Sequence, residues 1–238
     1  MDTLYIDCRM GVNGVKLLGA IIDTMDNPDS FVYNFNKLDV TSIAMQRTTD
    51  AQNGITGSYI EFIRRAATEF DPYADEVDDD DSVIIEMPSR QVRTLKDIIA
   101  VIDDMPVSQA IKDRAIKVYE NIAKADAKAN GISVNKLRMY RTGSRDVIAA
   151  VVGVFMALEE LKPERIIVST VAVGDGYSYT PRGRLPIPVP EMQILLNGVP
   201  YTAGVEQEEL CTLDGAALIA EIADEFANMP EMTVQSSG

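Results

Sequence analysis

Histidine is absent from all 238 residues of this chain. Imidazole is the commonest transition-metal ligand and the side chain that titrates nearest neutrality, so any metal or acid–base chemistry must rest on carboxylate, thiolate, lysine or tyrosine. Cysteine is scarce as well. Cys8 and Cys211 stand far apart and form no C-x-x-C pair, which indicates neither a disulfide framework nor a zinc knuckle and makes reduced thiols the simplest expectation. No apolar run approaches the roughly 20 residues that span a bilayer, so no transmembrane helix is expected. The opening "MDTLYIDCRM" has an aspartate at position 2 and then alternation, where a secretory signal would show basic residues and a long apolar run. A cytoplasmic location is therefore expected. Basic residues are outnumbered, 22 against 37 acidic, for a net charge of −15. That balance repels polyphosphate backbones and argues against general nucleic-acid binding. It favours solubility and equally suits a high-salt cytosol. Also missing are a G-x-S-x-G elbow, a P-loop lysine motif and a dinucleotide fingerprint, and without histidine a Ser- or Cys-based dyad would need lysine or a carboxylate as base.

With 46% hydrophobic residues, the chain can bury one substantial core or two small ones. "TLYIDC" (3–8) has strand character and runs into Gly11 and Gly14, which open a helix carrying Leu17, Leu18, Ala20, Ile21 and Met25 at helical spacing. Such a strand, glycine turn and helix serves either close packing of helix on strand or the approach of backbone amides to an anion. After a polar connection, 54–63 and 82–87 read as two further strands. Between them the acidic run 75–81 is a solvated loop, since its spacing lacks the central Gly and terminal Glu of an EF-hand.

Helices follow over 94–105 and from Ser108 to Asn130-Gly131, the second with Ile111, Ala115, Val118, Tyr119, Ile122 and Ala125 along one stripe. "KLRMYRTGSRDVIAAVVG" (136–153) comes next. Arginines and a tyrosine crowd a Thr-Gly-Ser turn, Ser144 or Asp146 caps a nearly all-apolar helix, and Gly153 implies a close helix contact. Residues 165–176 read as a buried strand ending in Gly174-Asp175-Gly176. Prolines 186, 188 and 190 mark an extended segment leading to a short helix, and a last helix spans 215–227. No internal repeat is present. The order of elements predicts an α/β fold, with α+β the alternative, in which a mixed sheet packs with several helices as one unit over 1–238, with a helical subregion at 94–131.

Several segments together resemble one family, the LarC nickel insertion proteins that complete the nickel-pincer nucleotide cofactor. "LYIDCRMGVNGVKLLGAIID" is similar to that family's opening, in which Asp-Cys or Asp-Pro precedes G-x-x-G-Asp-Met and a Leu-Gly-Ala helix. Asp7, Cys8, Gly11, Gly14, Leu18, Gly19 and Ala20 match, while Val15 and Lys16 replace Asp-Met. The stretch at 136–153 resembles a His-Phe-His-Glu-Val-Gly turn followed by an aspartate and a helix ending in Ile-Val-Gly. Gly143, Asp146, Val152 and Gly153 fit; Arg138 and Tyr140 stand at the histidine places, Arg141 at the glutamate and Ala150 at a further aspartate. "VAVGDGYSYTPRGRLPIPVPEMQILLNGVP" is similar to the family's Gly-x-Gly … His-Gly-x-Leu-Pro-Val-Pro segment, with Gly174, Gly176, Gly183, Leu185 and the prolines in step and Arg182 in place of histidine. "EELCTLDGAAL" resembles Glu-Leu-x-Thr-Pro-Thr-Gly-Ala-Ala, with Leu213 and Asp214 in place of Pro-Thr. Val92 and Asn130 stand at two more family histidine places.

The resemblance implies three readings. In the first, the family activity is kept: nickel enters a thiocarboxylate-bearing pyridinium nucleotide, with Asp7, Asp146 and Asp175 as the catalytic carboxylates and Cys8 as the metal ligand. In the second, a divergent paralogue recognises an anion or nucleotide, held by Gly11, Gly14, Arg138, Arg141, Gly143, Ser144, Gly174, Gly176 and Arg182 through guanidinium forks and the α-helix start at 144–146. In the third, the chain is a non-catalytic subunit of a second chain supplying the family's C-terminal, nucleotide-associated portion. Nickel and a nucleotide are the implied small molecules.

Overall fold

The computed structural model describes residues 2–38, 43–52, 55–64, 93–180, 183–204 and 206–238. The acidic run at 75–81, the strand expected at 82–87, Val92 and Arg182 lie outside the described residues. Among those described, a parallel sheet forms the centre. Its middle strand β4 (Arg165–Val168) pairs with β1 (Thr3–Ile6) in the register Thr3↔Arg165 to Ile6↔Val168 and with the short β9 (Glu225–Phe226) on the other side. The mixed α/β class read from the sequence is the one observed.

Helix α1 (Gly14–Asp23) follows β1 and packs on α5 (Arg145–Leu161). Helix α5 is buried on nearly every side from Ile148 to Leu158, as its apolarity requires. Gly153 is the contact point between the two: a Cβ there would lie 2.8 Å from Leu18 Cδ2. Helix α3 (Leu95–Asp104) starts in a capping box between Thr94 and Asp97. The long α4 (Gln109–Asn130) starts at a Ser108 cap, ends on left-handed Gly131, and packs against α5, α6 (Pro190–Leu195) and α7 (Leu213–Ile222).

Three local expectations are corrected. The polar connection after α1 contains α2 (Pro28–Lys37) and β2 (Ile43–Gln52). Asn27 caps α2 and Phe31 and Phe35 anchor it one turn apart, a pattern hidden by its Asn, Asp and Tyr content. Strand β2 pairs antiparallel with β3 (Ile55–Arg64), burying Ile43, Met45 and Ile60. The strand expected over 165–176 breaks at Ser169-Thr170 into β4 and β5 (Val171–Ala172), which pairs with β8 (Tyr201–Thr202). The proline-rich stretch keeps its expected form, an extended segment leading into the short α6, and its β7 (Gly183–Pro186) pairs antiparallel with β6 (Tyr177–Thr180). The last helix stops at Ile222, short of 227, because Asp224 pairs its amide with the Ile166 carbonyl and its carboxylate with the Ile166 amide, turning the chain into β9.

Candidate functional site

Beyond the carboxyl ends of β1 and β4, the loops at 7–13, 139–146, 169–176 and 203–212 meet the first turns of α1 and α7. Open α/β sheets place their ligands at this end. Asp7, one residue past β1, is clamped by Arg9, whose Nε lies 2.9 Å from Oδ1 and whose Nη2 lies 2.5 Å from Oδ2. The Arg9 hydrogen bonds hold the Asp7 carboxyl below its ordinary range. Cys8 points the other way and is 1% exposed; its amide donates to Ser169 Oγ at 2.8 Å. Burial, and then the Asp7 charge, push the Cys8 thiol up to about 12. Cys211 is equally buried and its thiol is raised further, by burial and then by Cys8. Both are protonated thiols at neutral pH, whereas a metal takes the thiolate. Among the described residues, no three Cys, Asp or Glu side chains form a group able to hold a metal ion.

The glycine turn is closed from within. At Gly11, with φ +88°, a Cβ would sit 2.0 Å from the Leu210 carbonyl oxygen. The Val12 amide donates to Leu210 O and the Thr212 amide to Val12 O, fastening this loop to the lead-in of α7. The Gly14 amide donates to Asp214 Oδ2 at 2.8 Å. An internal carboxylate thus occupies the start of α1, favouring the close-packing reading of Gly11 and Gly14 over an anion cradle.

In the stretch at 136–153, Ser144 takes the cap position of α5 but turns its hydroxyl back to the Arg141 carbonyl. Asp146 is exposed in the first turn. Gly143 is required where it is, since a Cβ would meet Met139 O at 2.6 Å; its own carbonyl accepts from Arg93 Nη1 at 2.6 Å. The two arginines diverge. Arg138 lies on the α3 side, where after the Thr94 hydrogen bonds its charge helps keep Asp97 low. Arg141 reaches the 203–212 loop, with Nη1 3.3 Å from Glu209 Oε2. Gly174, at φ +93°, holds that loop close: its amide donates to Ala203 O, it bridges Glu209, and a Cβ would fall 1.8 Å from Glu208 O. The Gly176 amide is taken by Asp175 Oδ1, and Asp175 is otherwise exposed. The Ser178 hydroxyl donates to Glu209 Oε2 at 3.4 Å.

The structure therefore joins Arg141 and Gly174 through Glu209, and Gly11 and Gly14 through the start of α7, while Arg138 stands apart. Sequence reasoning did not single out Ser169, Glu209, Asp214, Arg93 or Tyr119 as site residues. The signal for Asp214 was its place two residues after Thr212, a cap and first-turn pattern. Tyr119, read as core, is 0% exposed, and its hydroxyl has no hydrogen-bond partner among the described residues. Burial, then Asp214 and Asp146, raise it well above the ordinary phenol value.

The class the structure defines is an α/β scaffold whose glycine-built loops gather carboxylates and a guanidinium at the strand ends. The profile of the family described as "Nickel insertion protein" matches residues 4–238, and the chain belongs to that family. It is similar to the pyridinium-3,5-bisthiocarboxylic acid mononucleotide nickel insertion proteins of Clostridium kluyveri (28% identical, all of this chain, 57% of the relative) and Desulfitobacterium hafniense strain DCB-2 (26%, all of this chain, 54% of the relative). The protein of that name from Staphylococcus epidermidis is 27% identical over 99% of this chain and 54% of its own length. The chain spans just over half the length of these curated relatives. No solved structure matches it.

Proposed function

We propose that this chain acts in assembly of the nickel-pincer nucleotide cofactor, seating the anionic pyridinium mononucleotide at the carboxyl-end loop cluster while nickel, the second substrate, is inserted. The carrying observation is Arg141, a half-exposed guanidinium beside the glycine-built loops that, among the described residues, engages a carboxylate through a single nitrogen. Its remaining N–H donors suit a phosphate or carboxylate. Family membership supplies the reaction class, and the names of relatives supply the substrate. Asp7, Asp146 and Asp175 are exposed carboxylates around the cluster and are the candidates for meeting aqueous nickel. Cys8 would serve as a ligand only after leaving its buried position and losing its proton.

A second reading is that the chain works joined to a partner chain. Titration calorimetry tests both. The purified chain is titrated with nicotinic acid mononucleotide and with Ni(II), beside Arg141→Ala and Cys8→Ala. Mononucleotide binding weakened about tenfold by Arg141→Ala, the loss of one charge-assisted contact, is expected. Binding indifferent to that change sinks the arginine's role. Ni(II) binding abolished by Cys8→Ala restores the thiol as a ligand, and no binding of either compound without a co-purifying chain leaves the partner reading.

A further inference from the structure

We propose that Glu209 is a built-in counter-ion that competes with the ligand for Arg141 and thereby sets which anions the cluster accepts. This rests on the reading of Arg141 given above. The pair is asymmetric. The Glu209 side chain is 20% exposed and that of Arg141 57%. Glu209 is held from three directions: its backbone bridges Gly174, the following amide of Leu210 donates to Val173 O, and the Ser178 hydroxyl holds Oε2. Among the described residues Arg141 has no such anchorage; its side chain makes one long contact there, at 3.3 Å, with that same oxygen. The carboxylate is therefore the fixed partner and the guanidinium the movable one.

An incoming anionic oxygen group meets two opposing effects of Glu209. It finds an arginine already positioned, and it meets a negative charge that must be displaced from the guanidinium or tolerated beside the ligand. At this exposure the positioning is weak, because a long monodentate surface pair fixes a side chain poorly. The charge, though screened by solvent, acts directly on any anionic ligand bound to the same guanidinium. Competition therefore dominates, and the cost falls on anionic groups and spares uncharged ones. Phosphate and ring carboxylate share this chemistry in a pyridinium mononucleotide.

Glu209→Gln keeps shape and hydrogen bonding and removes only the charge. The test measures affinity of the full chain and the variant for nicotinamide mononucleotide, which has the phosphate alone; for nicotinic acid riboside, which has the ring carboxylate alone; and for nicotinamide riboside, which has neither. The variant is expected to bind one of the two anionic compounds about two- to fivefold tighter, the range of one exposed ion pair, with nicotinamide riboside unchanged. The compound that gains identifies the group Arg141 takes, and the gain shrinks as salt is raised. Equal affinities in both proteins overturn the proposal and leave the role of Arg141 standing. Weaker binding by the variant also overturns it, making Glu209 a positioning residue. No binding by either protein removes this inference together with the reading beneath it. Thermal unfolding of the variant confirms that the fold is intact.

Discussion

Replacing Tyr119 by Phe deletes one oxygen from the middle of α4 and leaves every surrounding atom in place. Tyr119 is 0% exposed, and its hydroxyl is hydrogen-bonded to nothing among the described residues. A buried polar group in that condition costs about 1–3 kcal/mol of desolvation, so its removal is expected to stabilise the fold by about 1 kcal/mol at pH 7. For a chain of this size that is a rise of roughly 2–4 °C in Tm. The advantage grows with alkalinity. The folded-state pKa of Tyr119 lies above its unfolded value near 10, so its stability contribution is fully present below pH 10 and is lost as pH rises further, when only the unfolded chain gives up the proton. At pH 10.5 the phenylalanine variant gains about a further 0.8 kcal/mol over the parent. The buried thiols of Cys8 and Cys211 begin the same kind of loss from pH 9 in both proteins and cancel in the comparison. Thermal unfolding followed by circular dichroism at pH 7 and 10.5 reads both quantities. A variant less stable than the parent by 1 kcal/mol or more at pH 7 would refute the reasoning, since it would mean that the hydroxyl has a hydrogen-bond partner in solution.

Two further substitutions probe the scaffold of the cluster. Gly174→Ala forces a side chain onto a φ of +93° with its Cβ 1.8 Å from the Glu208 carbonyl oxygen. It is expected to cost more than about 2 kcal/mol in chemical denaturation and to abolish mononucleotide binding even where the protein still folds. Gly153→Ala presses on the movable end of Leu18, at 2.8 Å, so about 1–3 kcal/mol is expected with ligand affinity unchanged; a neutral result would show that α1 and α5 separate readily.

What the sequence made legible was whatever repeats at short range. The stripe of α4, the cap at Ser108, the all-round apolarity of α5 and the glycine at 153 each follow from spacing alone, and each is where it was expected. Helix α2 escaped because two phenylalanines one turn apart carry its buried face, and asparagines disguise the rest as a loop. The site was legible only as segments. Gly11, Gly143 and Gly174 were readable as required glycines, but nothing in local spacing says that Leu210 and Glu208 are what crowd them. The arginines show the limit most clearly. Arg138 and Arg141 are three residues apart and were read as one guanidinium cluster, yet a carboxylate on α3 faces the first and Glu209 faces the second. Charge alone does not predict convergence when acidic partners are plentiful on every side.

The amide of Cys8 finds its acceptor in Ser169, 161 positions later, and among the described residues the first strand has no sheet neighbour until 165–168 exist. At ordinary rates of translation that wait is roughly 8–30 s. Throughout it, the apolar sequence at the head of the chain must leave the ribosome without its main-chain partner. The carboxylate that closes the first helix, Asp214, is made later still. Assembly of the loop cluster consequently waits for the seventh helix, and nascent chains halted before it are natural clients for a chaperone.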